Sequence, residues 1–155
     1  MEKRFILIAP HADDEVIGCY EFLQKGLVVR VLFPNDKIMT EAFCSSDHFR
    51  FGRELIEDHK WSNKYIYLFP DPIYETHPLH RELGAVGERL LRAGQAVIFY
   101  TTNMLAPYIH EVTEAAFKRE ILNTVYPNKI VLWEYEHKYF LFEGYNRWII
   151  DPTHE

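Results

Sequence analysis

The sequence predicts an α/β fold, Rossmann-like, in which helices flank a mostly parallel sheet. Apolar runs of strand length recur along the chain, segments with helical apolar spacing lie between them, and Gly or Pro follows many of these segments. When strands and helices alternate in this way, the crossovers are right-handed and most strands run parallel.

The first half of the chain begins with a continuous apolar run at residues 4–9, which is typical of a strand buried on both faces. Residues 15–25 have the apolar spacing of a helix, and Gly26 follows as a residue that ends helices. The other predicted elements of this half are, in order, a strand at 27–33, a loop at 36–47, a helix capped by Asp47 and running to about residue 60, and a strand at 64–69.

The second half continues the alternation with a helix at 81–93 that stops at Gly94 and a strand at 96–102. Another helix is predicted at 110–126, ending before Pro127. The aromatic content of residues 129–150 favours strands. We expect one domain over residues 1–155, because this length suits a single core.

Composition limits the function classes. The net charge is −6, the pI is near 5.7 and no basic run occurs, so binding to a nucleic-acid backbone is not expected. The apolar run at 5–9 is too short for a secretory signal, and the least charged stretch, 93–110, is too polar for a membrane span. Two cysteines read as reduced thiols, which favours a cytoplasmic protein.

Four ionisable side chains follow the first predicted strand within five positions: His11, Asp13, Asp14 and Glu15. A strand-to-helix turn needs one capping acid, not four such groups. His11 and Asp14 are three residues apart, so one tight turn can aim both at a common point, and their side chains are good zinc ligands. Asp13 then points elsewhere and can hold a metal-bound water.

A second polar cluster, His77-Pro78-Leu79-His80, follows the third strand and precedes a helix. Because the carboxyl ends of parallel strands share one edge of the sheet, this loop should lie near the first cluster. One of its histidines can supply a third ligand. Two histidines and a carboxylate with an open position form a common catalytic zinc set, which lowers the pKa of bound water to about 7.

Other interpretations remain open at this point. The acids at 13–15 can act as helix caps that complement the helix dipole, and the loop at 77–80 can be an ordinary connection. Aspartates at strand ends also bind magnesium in phosphoesterases. A non-catalytic domain that binds a sugar or nucleotide is a further alternative, because fold alone does not establish activity.

Three segments resemble the LmbE/PIG-L family of zinc-dependent N-deacetylases. Residues 9–19 match the family's first motif at the end of a strand, residues 77–81 match its later histidine motif, and residues 118–122 resemble its late helix. The resemblance spans about residues 4–126 and implies an LmbE-like version of the Rossmann-like fold.

The resemblance also implies roles for individual residues. It makes His11, Asp14 and His80 the zinc ligands and Asp13 the general base on the metal-bound water. His77 would lie beside the oxyanion, to stabilise it or to protonate the leaving amine. Arg50 falls near a family arginine that contacts substrate, and Arg53 is the alternative because the spacing differs by one.

The chain departs from the family pattern at several positions. Ala12 stands where proline is usual, Leu79 replaces a common aspartate, and residues 126–129 occupy the place of a Ser-Gln pair. The chain is also short for the family, which affects specificity more than chemistry. The resemblance implies a small-molecule substrate, an N-acetylated sugar derivative by default, and it leaves room for a homo-oligomer.

Overall fold

The computed structural model describes residues 4–10, 14–24, 28–33, 49–51, 61–103, 105–125 and 141–147. The strands within these ranges are β1 (Arg4–Ile8), β2 (Val28–Phe33), β3 (Phe49–Phe51), β4 (Ile66–Pro70), β5 (Ala96–Thr101), β6 (Tyr108–Glu111) and β7 (Phe142–Tyr145). The helices are α1 (Asp14–Gln24), α2 (Pro78–Arg92) and α3 (Ala115–Val125).

The described strands form one seven-stranded sheet in the order β3-β2-β1-β4-β5-β7-β6. The first five strands in this order pair in parallel, whereas β7 runs antiparallel to both β5 and β6. The prediction of an α/β domain with a mostly parallel sheet is therefore confirmed. The parallel part has the doubly wound order 3-2-1-4-5, whose direction reverses between β1 and β4, and ligands of such sheets bind at that reversal.

The central strands β1, β4 and β5 are buried on both faces, which explains why they read as continuous apolar runs. In β1, Phe5 and Leu7 pack on the face covered by α1 and α3, while Ile6 and Ile8 pack on the opposite face with α2. Helices α1 and α2 begin at the edge of the sheet where the carboxyl ends of β1 and β4 lie. That edge carries the candidate site.

Helix α2 lies unusually close to β4 because two of its glycines face the strand. A Cβ atom at Gly84 would meet the carbonyl oxygen of Pro70 at 2.5 Å, and one at Gly87 would meet the ring of Phe69 at 2.6 Å. The helix ends before Gly94, whose φ of +94° is a conformation that favours glycine. The prediction that this helix stops at Gly94 is therefore confirmed.

Two predicted helices are wrong in part. Residues 49–51, inside the helix predicted from Asp47, form strand β3 instead, because they pair in parallel with β2. The helix predicted at 110–126 begins only at Ala115, because Tyr108–Glu111 is strand β6, paired with β7. Pairing with β7, more than thirty residues further along the chain, therefore makes this segment a strand.

Some predictions fall outside the described residues, namely the stop at Gly26, the loop at 36–47, the rest of the helix at 52–60, and the tail at 129–150 apart from residues 141–147. The described part of that tail contains β7, as its aromatic content predicts. Within the described ranges, no helix has the length and apolar character needed to cross a membrane.

Replacement of Gly84 by alanine tests the close packing of α2. On an open helix surface this change stabilises by about 1 kcal/mol, because alanine has the higher helix propensity. Here the added Cβ meets backbone atoms of Pro70 and Pro72, which cannot move aside cheaply. We expect Gly84→Ala to destabilise by about 1–3 kcal/mol in urea unfolding. A gain in stability would show that α2 is not held at this distance.

Candidate functional site

A pair of buried side chains meets at the reversal point of the sheet. Asp14 begins α1 just after β1, and His80 lies in the first turn of α2 after β4. The Nε2 atom of His80 is 3.2 Å from Oδ2 of Asp14, and each residue is only 4% exposed. The structure thus brings together two residues that are 66 positions apart in the sequence.

A second carboxylate approaches the opposite side of the same imidazole. Oε2 of Glu75 lies 3.4 Å from Nδ1 of His80, and Glu75 is 2% exposed. The imidazole therefore lies between two buried carboxylates, an arrangement that we call the Asp14–His80–Glu75 row. Glu75 was not predicted from the sequence, although an acid two residues before His77 is a signal that could have identified it.

Glu75 is itself fixed by the residue that follows β5. The backbone N–H of Thr102 donates to Oε1 of Glu75 at 2.6 Å, and the Thr102 hydroxyl lies 2.9 and 3.0 Å from the two carboxylate oxygens. The same hydroxyl is 3.4 Å from Nδ1 of His80. The ends of β1, β4 and β5 thus all contribute to one buried polar cluster.

The loop between β4 and α2 is shaped by Asp71. One carboxylate oxygen of Asp71 accepts the N–H groups of Ile73 at 2.7 Å and Tyr74 at 3.0 Å, which closes a tight turn. The N–H of Asp71 donates to the carbonyl of Tyr100, and its carbonyl accepts from the N–H of Glu75. These bonds direct Glu75 toward the sheet edge.

His77 caps the start of α2 and lies beside the row. Its Nδ1 accepts the N–H of Leu79 at 3.1 Å, and Pro78 occupies the first helical turn, where no N–H is needed. Because Nδ1 is an acceptor, the neutral ring carries its proton on Nε2. The rings of His77 and His80 are 4.7 Å apart, and His77 is exposed while His80 is buried.

The two carboxylates control the protonation of His80. Burial by itself lowers the pKa of this histidine, but hydrogen bonds to Asp14 and Glu75 and the charges of both carboxylates outweigh it and raise the pKa to about 10. Without a metal, the imidazole is therefore protonated at neutral pH. A proton on Nε2 then occupies the space between His80 and Asp14.

The pair of His80 and Asp14 fits a shared metal ion. Ligands of a tetrahedral zinc ion, each bound at about 2.0–2.1 Å, lie roughly 3.3 Å apart, close to the 3.2 Å between Nε2 and Oδ2. Glu75 cannot join the same ion, since it faces the opposite ring nitrogen. In the part of the chain that the structure describes, no group of three His, Cys, Asp or Glu side chains could hold a metal.

The remaining site predictions are placed only in part. His11, the predicted third ligand, and Asp13, the predicted base, lie outside the described residues, as does Arg53. Arg50 lies in β3 in register with Leu32 of β2, and the structure describes its backbone only. The roles of these residues stay predictions.

No protein-family model, curated protein or solved structure matches this chain. The resemblance in the motifs therefore stays a prediction.

The raised pKa of His80 makes the stability of the metal-free protein depend on pH. A histidine whose pKa rises from 6.5 to about 10 on folding contributes stability that is fully present below pH 6.5 and lost as the pH rises through about 10. We expect urea unfolding in the presence of a chelator to show this decline. His80→Gln should remove that part of the slope. Equal slopes in the two proteins would contradict the assignment.

Proposed function

We propose that this chain is a zinc-dependent hydrolase that removes the N-acetyl group from an amino-sugar-type substrate. The observation that carries the proposal is the buried Asp14–His80–Glu75 row at the reversal point of the sheet. The Nε2 atom of His80 faces an aspartate and its Nδ1 atom faces a glutamate. Catalytic zinc sites use such a histidine, with one ring nitrogen on the metal beside a carboxylate ligand and the other donating to a second carboxylate. The motif resemblance supplies the reaction class.

The charge of the row favours a divalent cation. With a protonated imidazole, two carboxylates and one positive charge leave a net charge of −1 in a buried position. A divalent cation in place of the proton would make the cluster neutral, since the histidine would then be uncharged. The Oδ2 atom of Asp14 and the Nε2 atom of His80 are therefore a donor pair of the kind that a divalent cation binds.

Zinc suits this site better than magnesium. Magnesium prefers oxygen ligands and keeps several waters, whereas an imidazole nitrogen beside one carboxylate is typical of zinc. The oxygens of Glu75 contact Thr102 and the Nδ1 atom of His80, so Glu75 and Asp14 do not bind one cation together. This arrangement gives less support to a magnesium-dependent phosphoesterase.

Glu75 would orient the ligand histidine. A carboxylate that accepts the Nδ1–H of a histidine fixes the tautomer that presents Nε2 to a metal and makes that nitrogen more basic. Thr102 holds Glu75 through both its N–H and its hydroxyl, so the orientation is set by the sheet edge and not by a mobile side chain. Asp14, His80 and, by the resemblance, His11 would hold the zinc.

A bound zinc ion would supply a water of lowered pKa and would polarise the amide carbonyl. Asp13 would accept the proton of the attacking water, the general-base role that the resemblance gives it. His77 has the geometry of a donor, because its Nδ1 is engaged in the helix cap and its proton lies on Nε2. It would stabilise the oxyanion or protonate the departing amine. The products are acetate and a free amine.

The direct test is acetate release from a panel of N-acetylated amino sugars, measured with the purified protein before and after chelation of metal. We expect release of acetate with at least one of these substrates, its loss on chelation, and its return with added zinc. Metal analysis of protein purified without added metal identifies the ion. Protein that binds no zinc, or that releases no acetate when loaded, would overturn the proposal.

Glu75→Gln tests the orienting carboxylate. Glutamine keeps the size and can still accept a hydrogen bond, but it removes the negative charge that raises the basicity of His80. We expect zinc affinity to fall roughly 10–100-fold in a competition assay with a chromophoric chelator. Glu82→Gln, at an exposed position of α2, is the matched control and should bind zinc like the unchanged protein. Equal affinities in the two variants would remove Glu75 from this role.

Asp13→Asn tests the general base. Because Asp13 is not expected to bind the metal, the variant should retain nearly stoichiometric zinc. Its turnover should fall roughly 100- to 10,000-fold, since the water must lose its proton without a base. His80→Ala provides the contrast, because it should lose the zinc itself. Full turnover in Asp13→Asn would show that another group accepts the proton.

A further inference from the structure

Helix α1 is broken one turn after the residue that forms the candidate site. Cys19 has φ −138° and ψ 26°, which are not helical values, so α1 consists of a first turn at residues 14–18 and a second segment that starts at Tyr20. Asp14 lies at the start of that first turn. The position of its carboxylate therefore depends on what holds one short turn in place.

A carboxylate from β7 receives the backbone donors at the break. The N–H of Tyr20 donates to Oε2 of Glu143 at 2.8 Å, and the N–H of Glu21 donates to Oε1 at 3.1 Å. In an unbroken helix these two groups would bond to the carbonyls of Val16 and Ile17. Glu143 thus caps the second segment from outside the helix.

A lysine from α3 donates to a backbone carbonyl on the other side of the break. Nζ of Lys118 donates to the carbonyl of Ile17 at 2.8 Å and also to Oε2 of Glu143 at 2.8 Å. Ile17 belongs to the same short turn as Asp14. The ion pair of Lys118 and Glu143 therefore bridges the two segments of α1, with the lysine bonded to the first and the glutamate to the second.

Both members of this ion pair are fully buried, and Glu143 also accepts the hydroxyl of Tyr145 at 2.9 Å. Well-packed apolar residues in place of a buried ion pair are commonly as stabilising or more so. Stability alone therefore does not account for a lysine and a glutamate in the core. Their specific contacts are with the backbone at the break.

The first turn is also held from the side of the sheet. A Cβ atom at Gly18 would meet the ring of Tyr100 at 2.5 Å, so the turn lies directly against that ring. The hydroxyl of Tyr100 in turn donates to the carbonyl of Ile8 at the end of β1. Tyr100 limits how close the turn can approach the sheet, and Lys118 holds it through the carbonyl of Ile17.

We propose that Lys118 and Glu143 are positioning residues that hold the broken start of α1 so that Asp14 lies against His80. They contact neither of these side chains in the described geometry and act through the backbone of residues 17, 20 and 21. The effect on metal binding rests on the proposed function. The effect on the contact between Asp14 and His80 does not, and it can be measured without metal.

The test uses variants that leave no unpaired charge in the core. Lys118→Met alone would leave the carboxylate of Glu143 buried without its cation, and the protein could then fail to fold. The double variant Lys118→Met with Glu143→Gln removes both charges and keeps an amide oxygen as acceptor for one of the two N–H groups. Val97→Ala, in the core on the opposite face of the sheet, is the control for a general loss of packing.

The first measurement follows the imidazole resonances of His80 by NMR in metal-free protein, assigned with His80→Gln. We expect the double variant to shift them clearly and Val97→Ala to leave them in place. The second measurement is zinc affinity, which should fall roughly tenfold or more in the double variant only. Unchanged His80 resonances in a folded double variant would overturn the positioning role. Unaltered protein that binds no zinc would overturn the proposed function, and the resonances would still decide the positioning role.

Discussion

The imidazole of His80 is buried between two carboxylates, and the polar end of the sheet depends on this contact. Asp14 and Glu75 are almost completely removed from water, and without a cation between them they would be two like charges in a buried position. His80 connects them through its two nitrogens. The hydrogen bonds from Thr102 to Glu75 stabilise the carboxylate that faces Nδ1 of His80.

Much of the fold follows from local sequence signals. The central strands are recognisable because burial on both faces requires continuous apolar runs, and α2 is marked by Pro78 at its start and Gly94 at its end. Strand β3 has three residues, too few for a periodic signal, and β6 is a strand because β7 pairs with it. Pairing between distant segments cannot be read from the residues of one segment.

The candidate site likewise has parts that were predictable from the sequence and parts that were not. The approach of Asp14 to His80 was predictable, because both follow parallel strands whose carboxyl ends share an edge. The role of Glu75 was not predictable, since it depends on the turn made by Asp71 and on the hydrogen-bond donors of Thr102 across the sheet. The break in α1 was also hidden, because Cys19 and its neighbours keep a helical apolar pattern.

The glycines of α2 have a consequence for the chemistry as well as for packing. His80, Gly84 and Gly87 are spaced to lie along one stripe of the helix, and the two glycines let that stripe descend toward β4. The depth of the imidazole is therefore set by the absence of side chains one and two turns further along. A larger residue at either position would raise the helix and draw His80 away from both carboxylates. The geometry of the site therefore depends on two positions that contribute no side chain to it.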